Sequence, residues 1–387
     1  MASSTKVDPS TLNNVFTEPK RRVDSDKNIS KTKRDKLVEK AEEYLPYNSL
    51  YVWNANIDGI IIQLRTNDPH LIDFWIENWF PADLKAMPHG TIYAVTGVPD
   101  EKPYAYYNTE TKTAIFFNTN YYGQCKSWAL GIVADIMEMQ HDIHSIHGGV
   151  VDIGGTGIVI IAPTGTGKST HSYGLTLNIP NARMHSDDWC YVEYIGGEKG
   201  RASAYISERK FYLRTDIAKT YPVMAELFKR CKLENVVDGD FAAFGNSRAI
   251  LDPYWIGGPE KFIDTTRLRA VILLRRDEEH PPEVKLSPDD AIEILRKGEY
   301  MVMPGAGPKK DWGKIKREPF YNPYLLVRDK HREELQINFF SRLLRFASCY
   351  ILNTGVQSIE ETQARIRRIV KEVSQKVMRE REQDIDF

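Results

Sequence analysis

The sequence predicts an α/β fold in two parts, a smaller N-terminal α/β domain and a larger C-terminal core, and three observations predict it. The apolar strand Gly157-Ile158-Val159-Ile160-Ile161-Ala162 runs into a glycine-rich turn and then a helical pattern headed by Lys168-Ser169-Thr170. Strand-like alternation and helix-like periodicity take turns along the remaining chain. The length of 387 residues suits two domains of ordinary size.

Residues 1–30 are rich in Ser, Thr, Asn, Asp and Lys, so ordering them costs entropy that little packing offsets, and a disordered tail is expected. The charged run 31–44 reads as a helix with a shallow docking face made by Leu37, Val38 and Ala41. Together, residues 1–45 form a tail and polar helix. A compact α/β domain is expected over 46–143, with strands at 59–64 and 113–117 and helices at 70–79 and 126–140. The last of these places Trp128, Ile132, Ile136 and Met139 at helical spacing.

The core domain is expected over 144–387. Its strands read at 149–153, 157–162, 190–194 and 269–275, and its helices at 169–177, 216–230, 289–297, 329–347 and 358–380. Ser358 followed by Glu361 makes a capping-box pattern for the last helix. The mixed charges of 366–382 read as an exposed or subunit-contacting surface, which suggests a homo-oligomer.

A formal net charge of −1 argues against nucleic acid or a membrane surface as principal partner. Four cysteines, Cys125, Cys190, Cys231 and Cys349, form no CxxC pair, which fits a reducing cytoplasm. No run approaches the ~18 apolar residues of a membrane span, and the amino terminus lacks the apolar core of a signal peptide.

The turn itself carries chemistry. In Thr164-Gly165-Thr166-Gly167-Lys168-Ser169-Thr170 the glycines let main-chain N–H groups wrap a phosphate, Lys168 adds a point charge, and the Ser169 hydroxyl is suited to Mg²⁺. The following helix aims its positive end at the same place. Ala162 stands where the strict pattern has glycine. Downstream, Asp187 and Asp188 are adjacent acids, one for metal and one for accepting a proton from an attacking hydroxyl. His141, His144 and His147 recur at every third residue, a spacing that fits no zinc pattern.

The run from His147-Gly148-Gly149 through the turn to Asp187-Asp188 resembles the HPr kinase/phosphorylase family. Further matches resemble ATP-dependent phosphoenolpyruvate carboxykinases: Glu208-Arg209-Lys210-Phe211-Tyr212-Leu213-Arg214-Thr215, Leu233-Glu234-Asn235-Val236-Val237, Gly245-Asn246-Ser247-Arg248 and Asn353-Thr354-Gly355. They occur in order over about 120–370. The resemblance implies a P-loop core of the phosphoenolpyruvate carboxykinase/HPr kinase type, with Lys168, Ser169, Asp187, Asp188 and Arg248 converging on a triphosphate. It further implies that Arg248 and Arg214 neutralise developing charge and that His147 serves the metal shell or the acceptor. Departures separate the chain from both families. Ser127 stands where carboxykinases have a metal-binding lysine and no Arg-Ser-Pro-x-Asp segment is found, while Thr170 stands where HPr kinases have Glu.

The expected activity is therefore ATP- and Mg²⁺- (or Mn²⁺-) dependent phosphoryl transfer to a hydroxyl of a small metabolite or a protein serine. ADP, GTP and pyrophosphate present the same β-phosphate and stay open as donors. Metal ligands are expected from Ser169, Asp188 and His147. Two alternatives are a shortened phosphoenolpyruvate carboxykinase acting as a lyase and a non-catalytic nucleotide sensor.

Overall fold

In the computed structural model the described residues are 6, 8–12, 20–46, 48–197, 200–241, 246–302 and 309–385. They form a mixed α/β structure that divides into two compact units. The first comprises Met1–His141, Ser207–Asp252 and Tyr324–Asp329; the second comprises Asp142–Ile206, Pro253–Pro323 and Lys330–Phe387. The units interleave along the chain, whereas the sequence suggests one boundary near residue 144. The reason lies in strand partnership: Phe211–Arg214, Lys232–Glu234 and Arg248–Leu251 pair only with one another, as a separate three-stranded sheet. Among the described residues none of the three pairs with a strand of the nine-stranded sheet.

The first unit is built on a seven-stranded sheet in the order Asp24–Asp26, Tyr104–Asn108, Thr113–Phe117, Gly90–Val95, Ile60–Thr66, Tyr51–Ile57 and Phe80–Pro81. Alternate residues face opposite sides of each strand. Val95, Ile115 and Phe117 therefore pack under the helix Lys31–Glu43, through Ala41 and Leu37. On the other face Phe116 meets Trp128 of the helix Tyr122–Gln140, ring centroids 4.9 Å apart.

Of the tail expected to be disordered over 1–30, Pro9–Thr11 forms a 3₁₀ turn and residues 20–30 are tied to the first unit. Residues 1–5, 7 and 13–19 lie outside the described residues. Asp24–Asp26 pairs in parallel with Tyr104–Tyr106. Two side-chain amides act as substitute strand partners. Gln124 accepts from Val23 N at 2.8 Å and donates to Val23 O at 3.0 Å, and Asn235 brackets Lys20 at 2.6 and 2.9 Å. A primary amide offers the donor and acceptor that a polar, apolar-poor strand needs. Ile29 then anchors the segment in the core.

The helix expected over 216–230 is broken into a 3₁₀ turn, Thr215–Lys219, and a short helix, Val223–Phe228. Pro222 lies between them and lacks the N–H that a continuous helix requires.

The second unit holds a nine-stranded sheet. Ala182–Ser186, Gly149–Ile153, Thr156–Ile161, Thr265–Arg275, Arg201–Ile206, Trp189–Ile195 and His144–His147 follow in that order. Ser348–Asn353 pairs in parallel with the far half of Thr265–Arg275, and Glu283–Leu286 closes that edge. Ile158, Val159, Ile160 and Ile161 are all fully buried, as expected for a strand covered on both faces. The helices Lys168–Asn178 and Ile359–Ile385 pack together and against the Thr156–Ile161 strand, while Lys330–Phe346 packs on the neighbouring strands. Ile366, Ile369, Val370 and Val373 are buried. The stretch expected to be an exposed or subunit-contacting surface over 366–382 carries a core-facing stripe in its first half, because i, i+3, i+4, i+7 spacing puts those apolar residues on one side.

Among the described residues no helix is long and apolar enough to cross a membrane. The four cysteines are buried free thiols.

Candidate functional site

The second unit's central strand, Thr156–Ile161, delivers the chain to a turn at residues 162–167, and the helix Lys168–Asn178 begins at its end. Gly165 and Gly167 have φ of 86° and 107°, a left-handed region in which glycine carries no Cβ penalty. Thr166 closes the turn by donating its hydroxyl to Pro163 O at 2.7 Å. Two outside groups hold it. Thr354 Oγ1 donates to Thr166 O at 2.9 Å and Arg276 Nη1 to Gly165 O at 3.3 Å. Thr164 and Gly165 are exposed, and Lys168, Ser169 and Thr170 are half-buried in the first helical turn. That turn directs its main-chain N–H groups outward.

Asp187 and Asp188 connect the strands Ala182–Ser186 and Trp189–Ile195. Asp188 is tied to the neighbouring segment through Gly148 N, which donates to Asp188 O at 3.0 Å. Its carboxylate forms an ion pair with the Lys168 ammonium. His147 completes the group. Its Nε2 lies 3.1 Å from Asp188 Oδ1 and 3.3 Å from Lys168 Nζ, and its Nδ1 lies 2.6 Å from Tyr321 O. Burial, and then the Lys168 ammonium, push the His147 imidazole below the ordinary histidine range.

Asp187 is buried beside the same turn. A Cβ added at Gly149 would stand 2.5 Å from Ser172 Oγ, 3.2 Å from the Asp187 carbonyl oxygen and 3.5 Å from Lys168 Cγ, so a side chain there would displace the Ser172 hydroxyl and press on the Asp187 backbone.

Arg214 and Arg248 belong to the first unit. They face each other as register partners across Phe211–Arg214 and Arg248–Leu251. Arg214 is ion-paired with Asp216, while Arg248 donates to Ser247 O at 3.1 Å and lies 5.9 Å from the Tyr212 ring centroid. Gly245, at the head of the run that ends in Arg248, lies outside the described residues.

Of the other histidines, His144 packs between Phe339 and Phe340 and contacts Tyr194 Oη through Nδ1 at 3.1 Å. Among the described residues no group of three or more His, Cys, Asp and Glu side chains is assembled to hold a metal. Sequence reasoning missed the contact from Tyr321 and those from Arg276 and Thr354 to the turn. The Asn353-Thr354-Gly355 run carried a signal for the last; a main-chain carbonyl carries none.

No protein-family model matches the chain, and no curated protein matches it.

Proposed function

We propose that the chain is a nucleotide-dependent phosphotransferase that moves a phosphoryl group from ATP to a hydroxyl of a small metabolite or a protein serine. The observation carrying this reading is the junction of Lys168 with Asp188 and His147 at the mouth of a glycine turn that opens a helix. The order of motifs resembling HPr kinases and phosphoenolpyruvate carboxykinases supports it.

In this reading the amides of Thr164, Gly165, Thr166 and Gly167 and the start of the helix cradle the phosphates. Lys168 leaves its carboxylate partner to sit between β- and γ-phosphates. Ser169 and Thr170 add hydroxyls at the helix start. Asp187 accepts the proton of the attacking hydroxyl. Arg248 and Arg214 neutralise charge on the transferring group, a role resting on the resemblance.

The donor set fits a divalent cation: an imidazole nitrogen and a carboxylate oxygen 3.1 Å apart, with the Ser169 hydroxyl in the adjoining helix turn. Such a site takes Mg²⁺ or Mn²⁺ with phosphate oxygens and water completing the shell. When bound, the cation would neutralise phosphate charge. Free buried thiols agree with a reducing cytoplasm.

The test is multiple-turnover ATP consumption against a panel of hydroxyl acceptors, with Lys168→Ala and Asp187→Asn in parallel. Lys168→Ala should lose nucleotide handling. Asp187→Asn should keep nucleotide affinity and lose roughly 10²–10⁴-fold in turnover. Phosphoenolpyruvate formed from oxaloacetate and ATP would instead assign a lyase, and nucleotide binding without turnover a sensor.

A further inference from the structure

The stretch Pro319–Tyr321 contains two consecutive aromatic residues in the left-handed region, Phe320 at φ 57° and Tyr321 at φ 50°. Bulky residues avoid that conformation, and neighbouring pairs of them do so more strongly, so the surroundings must enforce it. They do so from both sides. Phe320 is buried and stacks on Phe340 with centroids 5.8 Å apart and planes 6° from parallel. The Tyr321 hydroxyl donates to Glu299 O at 3.2 Å and its amide to Glu318 O at 2.8 Å. Glu318 in turn is locked to Gly298, where an added Cβ would stand 1.9 Å from Glu318 O. The consequence of this enforced turn is the placement of one atom, the Tyr321 carbonyl oxygen, 2.6 Å from His147 Nδ1.

We propose that the Phe320–Tyr321 turn is a positioning element that fixes His147 in its Nδ1–H tautomer and so presents the Nε2 lone pair toward Asp188 and Lys168. A carbonyl oxygen only accepts, so the 2.6 Å contact requires the proton on Nδ1. In the neutral ring Nε2 is then an acceptor, and the Lys168 ammonium 3.3 Å away is its donor. Nε2 and Asp188 Oδ1, 3.1 Å apart, thus share one cation. An imidazole whose second nitrogen is held by a main-chain carbonyl is the arrangement that orients a histidine for a metal ion. This inference rests on the metal-dependent reading above, and it adds the residues that make His147 competent for it.

The experiment uses the full chain with ring-¹⁵N-labelled histidine, the His147 signals being identified by their loss in His147→Gln. At pH 7.5 the expected spectrum shows a protonated Nδ1 and an unprotonated Nε2. A protonated Nε2, or protons on both nitrogens, overturns the proposal. Phe320→Ala removes the stack that pins the turn. It should mix the tautomers and weaken binding of Mn²⁺ alone, followed by electron paramagnetic resonance, about tenfold or more. Tyr321→Phe, which keeps the carbonyl and the Phe320 stack but loses the hydroxyl bond to Glu299 O, should move both in the same direction and by less than Phe320→Ala. Unchanged tautomer and Mn²⁺ affinity in a Phe320→Ala protein that still melts cooperatively also overturns the proposal. Absence of ATP turnover with the Nδ1–H tautomer and Mn²⁺ binding intact would remove the phosphotransferase reading and leave this one standing.

Discussion

Lys168, Asp188 and His147 act as one unit, so changing any of them alters the charge balance of the other two. Removing one member of a largely buried ion pair leaves the other's charge uncompensated. The Lys168 and Asp188 side chains are 13% and 16% exposed, enough burial for their pairing to register in stability. Asp188→Asn should lower unfolding stability by about 2 kcal/mol. In a double-mutant cycle with Lys168→Met, urea unfolding should show a coupling of at least about 1 kcal/mol. Strict additivity would mean the pair contributes nothing. These three residues were legible in the sequence because their side chains are the chemistry: an ammonium after a glycine turn, adjacent acids, a histidine ahead of the strand. The Tyr321 carbonyl was not, since every residue has one. Its left-handed backbone also runs against the preference of an aromatic residue, so no letter announces it.

Among the elements, the helix Ile359–Ile385 shows what pattern reading captures and what it loses. Its start follows the capping box: Ser358 Oγ accepts from Glu361 N at 3.1 Å, and Glu361 Oε2 accepts from Ser358 N at 2.7 Å. Ser358→Ala should therefore cost about 1 kcal/mol, read from the denaturant midpoint. Ile369 is fully buried, and Ile369→Ala should cost about 2–5 kcal/mol in the same measurement. A cost near zero for the second would show that the stripe is not packed. The dense charges around Ile366 and Ile369 disguised that stripe. Short strands such as Phe211–Arg214 and Lys232–Glu234 escaped notice for another reason: three or four residues are too few to display a period of two. The Asp24–Asp26 strand has no apolar alternation, since side-chain amides from Gln124 and Asn235 flank it.

At the scale of the whole molecule, the second unit should be sensitive to acid. Burial pushes His144 down to about 3, and His171 and His185 each down to about 4. An unfolded histidine titrates near pH 6.5. Each folded value is lower, so between the two the unfolded chain binds protons that the folded unit refuses. Stability is then fully present above pH 6.5 and is lost as pH falls toward 4 and 3. Between pH 7 and pH 5 the loss should be roughly 2 kcal/mol per histidine, seen as a falling urea midpoint. A midpoint that stays level over this range would contradict the burial of these rings. The α/β class was legible at this scale. The assignment of 207–252 to the first unit was not, because it depends on which distant segments pair.

The alternation of segments between the units governs how the protein is made and taken apart. Thr265–Arg275 gains its parallel neighbour Ser348–Asn353 only after more than seventy further residues have left the ribosome. The nascent chain therefore carries an incomplete sheet for most of its synthesis. No restriction fragment bounded by two cuts encodes either unit alone. Expressing one of them separately would demand a rejoined gene with new linkers rather than a truncation.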